Sequence, residues 1–183
     1  MKVVIDTSSL LSLVRYYLPF DKNKFLLRFF QNKIESGEII ILDKVFEECQ
    51  YTSRGIVVDT LTFIKDKKNQ IKTLELLPTQ KFFNQLENQF INGSTRNLLT
   101  PVQFEDRKNS FLNSADAKLL LYCLKDRTQS KELKITIVSE ETEVSNDNKA
   151  FKKLPAICKI LEIEIITLPE LLRLYDDIDF EFK

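Results

Sequence analysis

The sequence predicts an α/β protein, a three-layer α/β/α sandwich in which helices cover both faces of a mostly parallel sheet of four to five strands. Two observations carry this prediction. Short runs rich in Val and Ile recur along the chain, and each run is followed by a segment whose apolar residues have helical spacing. Strands that alternate with helices form parallel sheets, because each helix returns the chain to the edge where the previous strand began. The 183 residues fit one such domain.

Each predicted element has a simple signal. Strands are predicted at residues 2–5, 38–42, 134–138 and 162–167. Helices are predicted at 8–17, 22–36, 43–53, 115–125, 154–161 and 169–175. We expect Ser8 or Ser9 to cap the first helix, because a hydroxyl accepts hydrogen bonds from free N–H groups there. Pro19 is expected to end that helix, and Gly37 to end the second.

The middle of the chain, from about 55 to 112, does not follow this alternation. It contains helical patterns at 56–70 and 79–91 and the polar stretch INGSTRN at 91–97, which is expected to be a loop. We therefore predict a mostly helical insertion on the same core. The C-terminal stretch DDIDFEFK is acidic and is expected to be a loose end or a segment that contacts a partner.

Composition excludes several classes of protein. The chain has 27 basic and 27 acidic residues, so any basic surface for nucleic acid must be local. It has no histidine, which excludes Ser-His-Asp and Cys-His catalysis and histidine-ligated zinc. With only 3 glycines, it has no glycine-rich phosphate loop of the Walker or dinucleotide type.

The three cysteines, Cys49, Cys123 and Cys158, lie far apart in apolar segments and form no CxxC motif. We expect buried thiols in a reducing compartment rather than disulfides or zinc ligands. The N-terminus enters a strand pattern without a leader, and no apolar run approaches about 18 residues. A cytoplasmic protein without a membrane span is therefore expected.

Carboxylates stand where the predicted strands end. Asp6 follows the first strand, Asp43 follows the second with Glu47 and Glu48 one turn later, Glu140 and Glu141 follow the third, and Asp116 begins the 115–125 helix. Ligands of open α/β sheets bind beyond these strand ends. Clustered carboxylates repel one another unless a cation such as Mg²⁺ or Mn²⁺ neutralises them. Such ions activate water and stabilise the leaving oxygen of a phosphodiester, chemistry that needs no histidine.

Taken singly, each acid also has a structural interpretation. Asp6 is a candidate helix cap, and Asp116 would favour the positive N-terminus of its helix. Glu47 and Glu48 fit a solvated helix face, and Glu140 and Glu141 fit ordinary loop acids. The four positions together are more specific than any one of them.

The sequence resembles the PIN domain (PilT N-terminus) nucleases. The resemblance lies in VVIDTSSLL at 3–11, VFEEC at 45–49, SADAKLLL at 114–121 and IVSEE at 137–141. RYYLPFD at 15–21 and KLPAICKILEIEIITLPELL at 153–172 resemble one uncharacterised branch of that family, whereas about 55–112 carries no matching motif. The resemblance implies a Mg²⁺- or Mn²⁺-dependent ribonuclease with three or four acidic ligands.

Matched residue by residue, the resemblance assigns Asp6 as the first acid, Glu48 as the second with Glu47 as the alternative, Asp116 as the third and Glu141 as the fourth. Glu141 stands where most members have aspartate, and it would reach the ion directly or through water. Glu140 is the alternative at this position. Ser8 resembles a hydroxyl that hydrogen-bonds an acid or a bound water, with a helix cap as the other interpretation.

Basic side chains near these acids are candidates for contacting RNA phosphates. They are Lys149, Lys152 and Lys153, with Arg15, Lys22 and Lys24 as second candidates, and each also fits a solvated charge. The run KDKK at 65–68 is expected to be surface. The resemblance further implies the toxin of a toxin–antitoxin module, acting on structured RNA such as tRNA or on translating mRNA. An antitoxin protein and a homodimer are the partners it suggests.

Three hypotheses follow. The first is a metal-dependent endoribonuclease, and the second is a non-catalytic module that keeps the acidic pocket but binds RNA or a protein. The third is a phosphatase with Asp6 as nucleophile, which is disfavoured because Ser8 stands where that chemistry normally needs a second acid. A receiver domain is less favoured still, because no acid pair precedes Asp6. Covalent phosphate on Asp6 would select the third hypothesis.

Overall fold

A computed structural model describes residues 2–129, 135–143 and 149–175. Its strands are β1 (Val3–Ile5), β2 (Ile39–Leu42), β3 (Gln70–Ile71), β4 (Thr136–Val138) and β5 (Ile165–Ile166). They form one five-stranded sheet in the order β3-β2-β1-β4-β5, and every neighbouring pair is parallel. Helices flank this sheet, so the predicted α/β/α sandwich is confirmed.

The α-helices among the described residues are α1 (Thr7–Ser12), α2 (Phe25–Glu35), α3 (Asp43–Tyr51), α4 (Ile56–Thr60), α5 (Gln80–Gln85), α6 (Gly93–Arg96), α7 (Pro101–Leu112), α8 (Ala115–Gln129), α9 (Leu154–Leu161) and α10 (Leu168–Arg173). π-helical turns continue two of them, at Leu13–Tyr17 and Leu86–Phe90. 3₁₀ turns lie at Leu18–Phe20, Thr62–Lys65 and Lys67–Asn69, and the turn Thr52–Gly55 after α3 has left-handed backbone at Ser53, Arg54 and Gly55.

The three central strands are buried along their whole length. Val4 of β1 pairs with Ile40 of β2 on one side and with Ile137 of β4 on the other. A parallel sheet covered on both faces needs apolar side chains on both, which is why these strands are continuous apolar runs instead of alternating patterns. The sequence signal was strong here for that reason.

The edge strand β3 was not predicted. The expected helix at 56–70 is wrong: it divides into α4, two 3₁₀ turns and β3. Leu61 leaves helical geometry after α4. The side-chain amides of Asn69 and Gln70 then donate to the carbonyls of Phe63 and Ile64, each over 2.8 Å. These bonds fold the chain back so that Gln70 pairs with Ile41, and the insertion thereby adds a strand to the sheet.

The start of the first helix also differs from the prediction. Asp6, not Ser8 or Ser9, is the N-cap of α1, and its carboxylate accepts a hydrogen bond from the backbone N–H of Ser8 over 3.3 Å. Asp6 has the extended backbone of a cap, and helical geometry begins at Thr7. Ser9 instead points into the core and is fully buried.

The predicted ends of the first two helices were partly right. The first helical run passes through the π-helical turn and a 3₁₀ turn that contains Pro19, and ends at Phe20. Helix α2 begins at Phe25 instead of at 22, because Lys24 is left-handed and Asp21 accepts the N–H of Phe25 over 2.8 Å. Gly37 has a φ of +74°, which confirms it as the stop after α2.

Other expectations can be compared directly. All three cysteines are buried free thiols, as predicted. The expected INGSTRN loop contains the single-turn helix α6. Among the described residues, no helix is both long and apolar enough to cross a membrane. The acidic stretch at 176–183 lies outside the described residues.

Candidate functional site

The site lies where the strand order reverses. From β1 the chain builds outward to β2 and β3 on one side, whereas β4 and β5 lie on the other. The carboxyl ends of β1 and β4 therefore border a crevice of the kind in which open α/β sheets bind ligands. Asp6 follows β1 directly, and its N–H donates to the carbonyl of Val138, the last residue of β4, over 2.9 Å.

Two serine hydroxyls hold the carboxylate of Asp6, which is only 4% exposed. Ser8 Oγ donates to Asp6 Oδ2 over 2.6 Å, and Ser139 Oγ donates to the same oxygen over 3.0 Å. Each hydroxyl also accepts a backbone N–H, Ser8 from Glu140 over 3.0 Å and Ser139 from Glu141 over 3.2 Å. Ser8 thus hydrogen-bonds the first acid, in line with one of its two interpretations. Ser139 was not assigned a role from the sequence.

Helix α3 brings one of its two adjacent glutamates to this edge. Thr7 Oγ1 donates to Glu48 Oε2 over 2.9 Å, whereas Glu47 pairs with Lys44 over 2.6 Å and is 53% exposed. Desolvation raises the pKa of Glu48, and the hydrogen bond from Thr7 partly offsets that rise. The charge of Asp6 raises the pKa of Glu48 further. Both glutamates are exposed, but the bond from Thr7 directs Glu48 toward the end of β1, whereas Glu47 is directed along its own helix to Lys44.

Asp116 lies in the first turn of α8, as predicted, and is partly buried between the buried residues Ala115 and Ala117. Desolvation is the main cause that raises the pKa of Asp116 to about 8. The charges of Asp6, Glu141 and Glu48, in that order, raise it further. These repulsions mean that the four predicted acids lie within electrostatic reach of one another.

The two glutamates after β4 have different partners. Glu140 Oε1 accepts the N–H of Leu168, the first residue of α10, over 2.6 Å. Glu141 Oε2 accepts the N–H of Leu154, the first residue of α9, over 3.4 Å. Glu140 is therefore directed toward α10. Glu141 lies by α9, and its charge acts on both Glu48 and Asp116.

The predicted basic residues are dispersed. Lys149 is near the acids, because its charge lowers the pKa of both Glu48 and Asp116. Lys152 Nζ instead donates to the carbonyl of Gln89 in the insertion over 2.6 Å. Lys153 directly precedes α9 and is partly buried. Arg15 Nη2 donates to Ser53 Oγ over 2.6 Å. Lys22 and Lys24, the second candidates, are exposed on the turn before α2.

The insertion contacts the segment 149–153, which carries Lys149, Lys152 and Lys153. Ile91 and Phe151 form an antiparallel bridge, and the N–H of Asn92 donates to the carbonyl of Ala150 over 2.8 Å. Asn92 Nδ2 also donates to the carbonyl of Lys149 over 2.9 Å. The insertion thus fixes the backbone beside the acids. No sequence signal pointed to Asn92, because the contact joins positions 57 residues apart.

The donor atoms fit the cation that the resemblance implies, since Mg²⁺ and Mn²⁺ prefer carboxylate oxygens. The raised pKa of Asp116 also reflects repulsion that a cation would relieve. However, no three Asp, Glu, Cys or His side chains within the described ranges are placed so that they could hold one ion together. The right atoms are present without a closed coordination sphere, so ion binding would require side-chain rotation.

Comparison with known proteins gives a family without an assigned activity. A family model described as a domain of unknown function, DUF4411, matches residues 3–177, almost the whole chain. Neither the curated proteins nor the solved structures contain a significant match. The match includes both halves of the sheet, the four acids and the insertion. The chain therefore belongs to the DUF4411 family.

Proposed function

We propose that this protein is a Mg²⁺- or Mn²⁺-dependent endoribonuclease that hydrolyses RNA phosphodiester bonds. The observation that carries the proposal is the convergence of Asp6, Glu48, Asp116 and Glu141 at the reversal point of a parallel sheet. A fold gains nothing in stability from carboxylates that repel one another, and a cation that serves the chemistry is the simplest reason to gather them. The PIN-like motifs support the same activity.

Hydroxyl groups orient two of the four acids. Ser8 and Ser139 hold Asp6, and Thr7 holds Glu48. A divalent ion bound to these carboxylates would supply an activated water and stabilise charge on the leaving oxygen. Lys149, whose backbone the insertion fixes, would attract the scissile phosphate toward the acids.

The test is calorimetric titration of Mn²⁺ into the wild type, an Asp116→Asn variant and a Glu47→Gln control, followed by addition of folded RNA. We expect the wild type and the control to bind Mn²⁺ and to cut RNA internally. Asp116→Asn should do neither, and EDTA should abolish cleavage. A wild type that binds no Mn²⁺ and leaves RNA intact would refute the proposal.

One observation favours a second candidate, a module that binds RNA or a protein without cutting. The acids as placed do not form a closed metal site, and the carboxylates of Glu140 and Glu141 accept the first N–H groups of α10 and α9. Under this alternative, RNA would bind equally well to the wild type and to Asp116→Asn, and neither would cut it.

The resemblance extends the first candidate to a biological role. The protein would be a cytoplasmic toxin, countered by an antitoxin protein and acting on structured RNA such as tRNA or on translating mRNA, as a homodimer. Induced expression should then arrest bacterial growth, and Asp6→Asn should remove the arrest. Normal growth of cells that contain soluble wild-type protein would refute the toxin role, and it would leave the nuclease proposal untested by this experiment. Size-exclusion chromatography with light scattering tests the dimer.

A further inference from the structure

Exposed aromatic and basic side chains stand near the ends of two helical runs that Arg15 and Ser53 join. Tyr16 is 65% exposed and Tyr51 is 83% exposed. Their neighbours Arg15 and Arg54 are exposed as well. We call these four residues the tyrosine–arginine surface. Large rings left in water beside guanidinium groups suggest a ligand with flat rings and negative charge.

The two halves of this surface are joined. Arg15 Nη2 donates to Ser53 Oγ over 2.6 Å, which ties the turn after α1 to the turn after α3. Ser53, Arg54 and Gly55 have φ angles of 52°, 60° and 77°, three left-handed residues in succession. Non-glycine residues adopt this region at a cost, so the bond from Arg15 helps to hold a strained turn that displays Arg54.

The surface is connected to the candidate site through the two helical runs that carry Ser8 and Glu48. Tyr51 follows Glu47 by four positions and Glu48 by three on α3, so it lies one turn beyond both glutamates and between their directions. Arg15 lies in the π-helical turn that continues α1, the helix that carries Ser8 in its first turn. Both helical runs start at the acidic edge of the sheet, and both carry the surface at their far ends.

We propose that the tyrosine–arginine surface binds unpaired nucleotides of RNA, with Tyr16 and Tyr51 stacking on bases and Arg15 and Arg54 contacting phosphates. This inference rests on the proposed function for the choice of RNA. Aromatic rings stack on any base whose face is free, and a duplex hides those faces. A chain with zero net charge needs such local contacts to hold a polyanion.

The test measures binding of a fluorescein-labelled oligouridine by anisotropy, in Ca²⁺ and separately in EDTA, with a blunt RNA duplex of equal length for comparison. Tyr51→Leu and Tyr16→Leu should each weaken oligouridine binding about 5- to 150-fold, the range for loss of one stacked base. Tyr51→Phe, which keeps the ring, should bind within about twofold of the wild type. Arg54→Ala should lower the slope of log affinity against log salt by about 0.7, the value for one phosphate contact on a single strand.

Phe25→Leu is the matched control, since Phe25 is 49% exposed but lines a different groove along α2 with Phe29 and Asn32. It should bind like the wild type. The inference is overturned if the tyrosine variants bind oligouridine normally, if the duplex binds as tightly, or if the wild type binds no oligouridine in either buffer. A wild type that binds oligouridine through these tyrosines but never cuts RNA in Mn²⁺ refutes the nuclease proposal alone. If the tyrosine variants bind oligouridine normally and still cleave RNA, the RNA-binding role of the tyrosine–arginine surface is refuted and the nuclease proposal is not. The surface would then be a candidate contact for a protein partner.

Discussion

Ser139 donates a hydrogen bond to the carboxylate of Asp6 over 3.0 Å, across 133 positions of the chain. The same hydroxyl accepts the N–H of Glu141, so one side chain links the ends of β1 and β4. Ser139 is only 2% exposed. Deleting a buried hydroxyl of this kind leaves its partners without hydrogen bonds and away from water.

Ser139→Ala should therefore lower the free energy of unfolding by about 1–3 kcal/mol, the cost of buried groups left without partners. Urea denaturation followed by circular dichroism measures this. Ser110→Ala is the control, because Ser110 is exposed and bonds only to the carbonyl of Asp106 in its own helix among the bonds described. Its effect should stay below about 0.5 kcal/mol. Equal effects of the two variants would contradict the linking role of Ser139.

Asp116→Asn should stabilise the fold in EDTA at neutral and mildly alkaline pH. The pKa of Asp116 is raised to about 8 in the folded protein, whereas an unfolded aspartate has a pKa of about 3.9. The folded state therefore binds more protons between these values, and wild-type stability falls as pH rises from about 4 to about 8. An asparagine has no such proton to lose. The free energy of unfolding of Asp116→Asn should therefore exceed that of the wild type by an amount that grows over the same pH range, to about 1–3 kcal/mol after allowance for partial exposure.

Thermal melts in EDTA between about pH 5 and pH 9 measure this difference. The Glu47→Gln control should follow the wild type, because Glu47 is directed to solvent and paired with Lys44. If Asp116→Asn melts below the wild type at every pH, Asp116 stabilises the fold and the repulsion among the acids is not significant.

The three thiols should resist modification in the native protein. Burial raises the pKa of Cys49 and of Cys123 to about 12, and it raises the pKa of Cys158 as well. Thiolate is the reactive form, so an aromatic disulfide reagent at pH 8 should react roughly a hundredfold more slowly with native than with denatured protein. Denatured protein should show three thiols per chain. Rapid reaction of the native protein would mean that at least one cysteine opens to solvent.

Asn92→Ala should weaken RNA binding through Lys149. The side-chain amide of Asn92 holds the carbonyl of Lys149, so its loss should loosen the backbone at Lys149, although the backbone bond from Asn92 to Ala150 remains, and should reduce affinity about two- to tenfold. In a double-mutant cycle, Lys149→Ala should reduce RNA affinity less in the Asn92→Ala background than in the wild type, because both changes act on one contact. Asn88→Ala is the control, since Asn88 donates to Asn84 within its own helical run.

Anisotropy with a labelled RNA in Ca²⁺ measures these affinities. Fully additive losses from Asn92→Ala and Lys149→Ala would show that the two residues act independently. An unchanged affinity in Asn92→Ala would mean that the insertion holds this segment without Asn92.

Local pattern predicted much of this fold. The runs that became β1, β2 and β4 are apolar along their whole length, because strands buried on both faces leave no room for polar residues. Strand β3 has no such run: it is two residues long, begins with glutamine and leaves Ile71 37% exposed. It forms because β2 offers a free edge and side-chain amides turn the chain toward it, which are contacts between distant positions.

The candidate site was likewise predicted only in part from the sequence. Residue type and position at strand ends pointed to Asp6, Asp43, Asp116 and the pairs Glu47/Glu48 and Glu140/Glu141, and the resemblance to PIN domains selected Glu48 and Glu141. Tertiary contacts decided that Glu48 turns toward Thr7 and that Asp6 meets Ser139. The pairing of Glu47 with Lys44 and the cap that Asp6 forms on α1 are local contacts. Apolar runs and the residues that follow them are properties of neighbouring positions, so the sequence by itself determined the three central strands and the acids at their ends. Which carboxylate faces which hydroxyl depends on side chains up to 133 positions apart, and only the packed sheet brings those together.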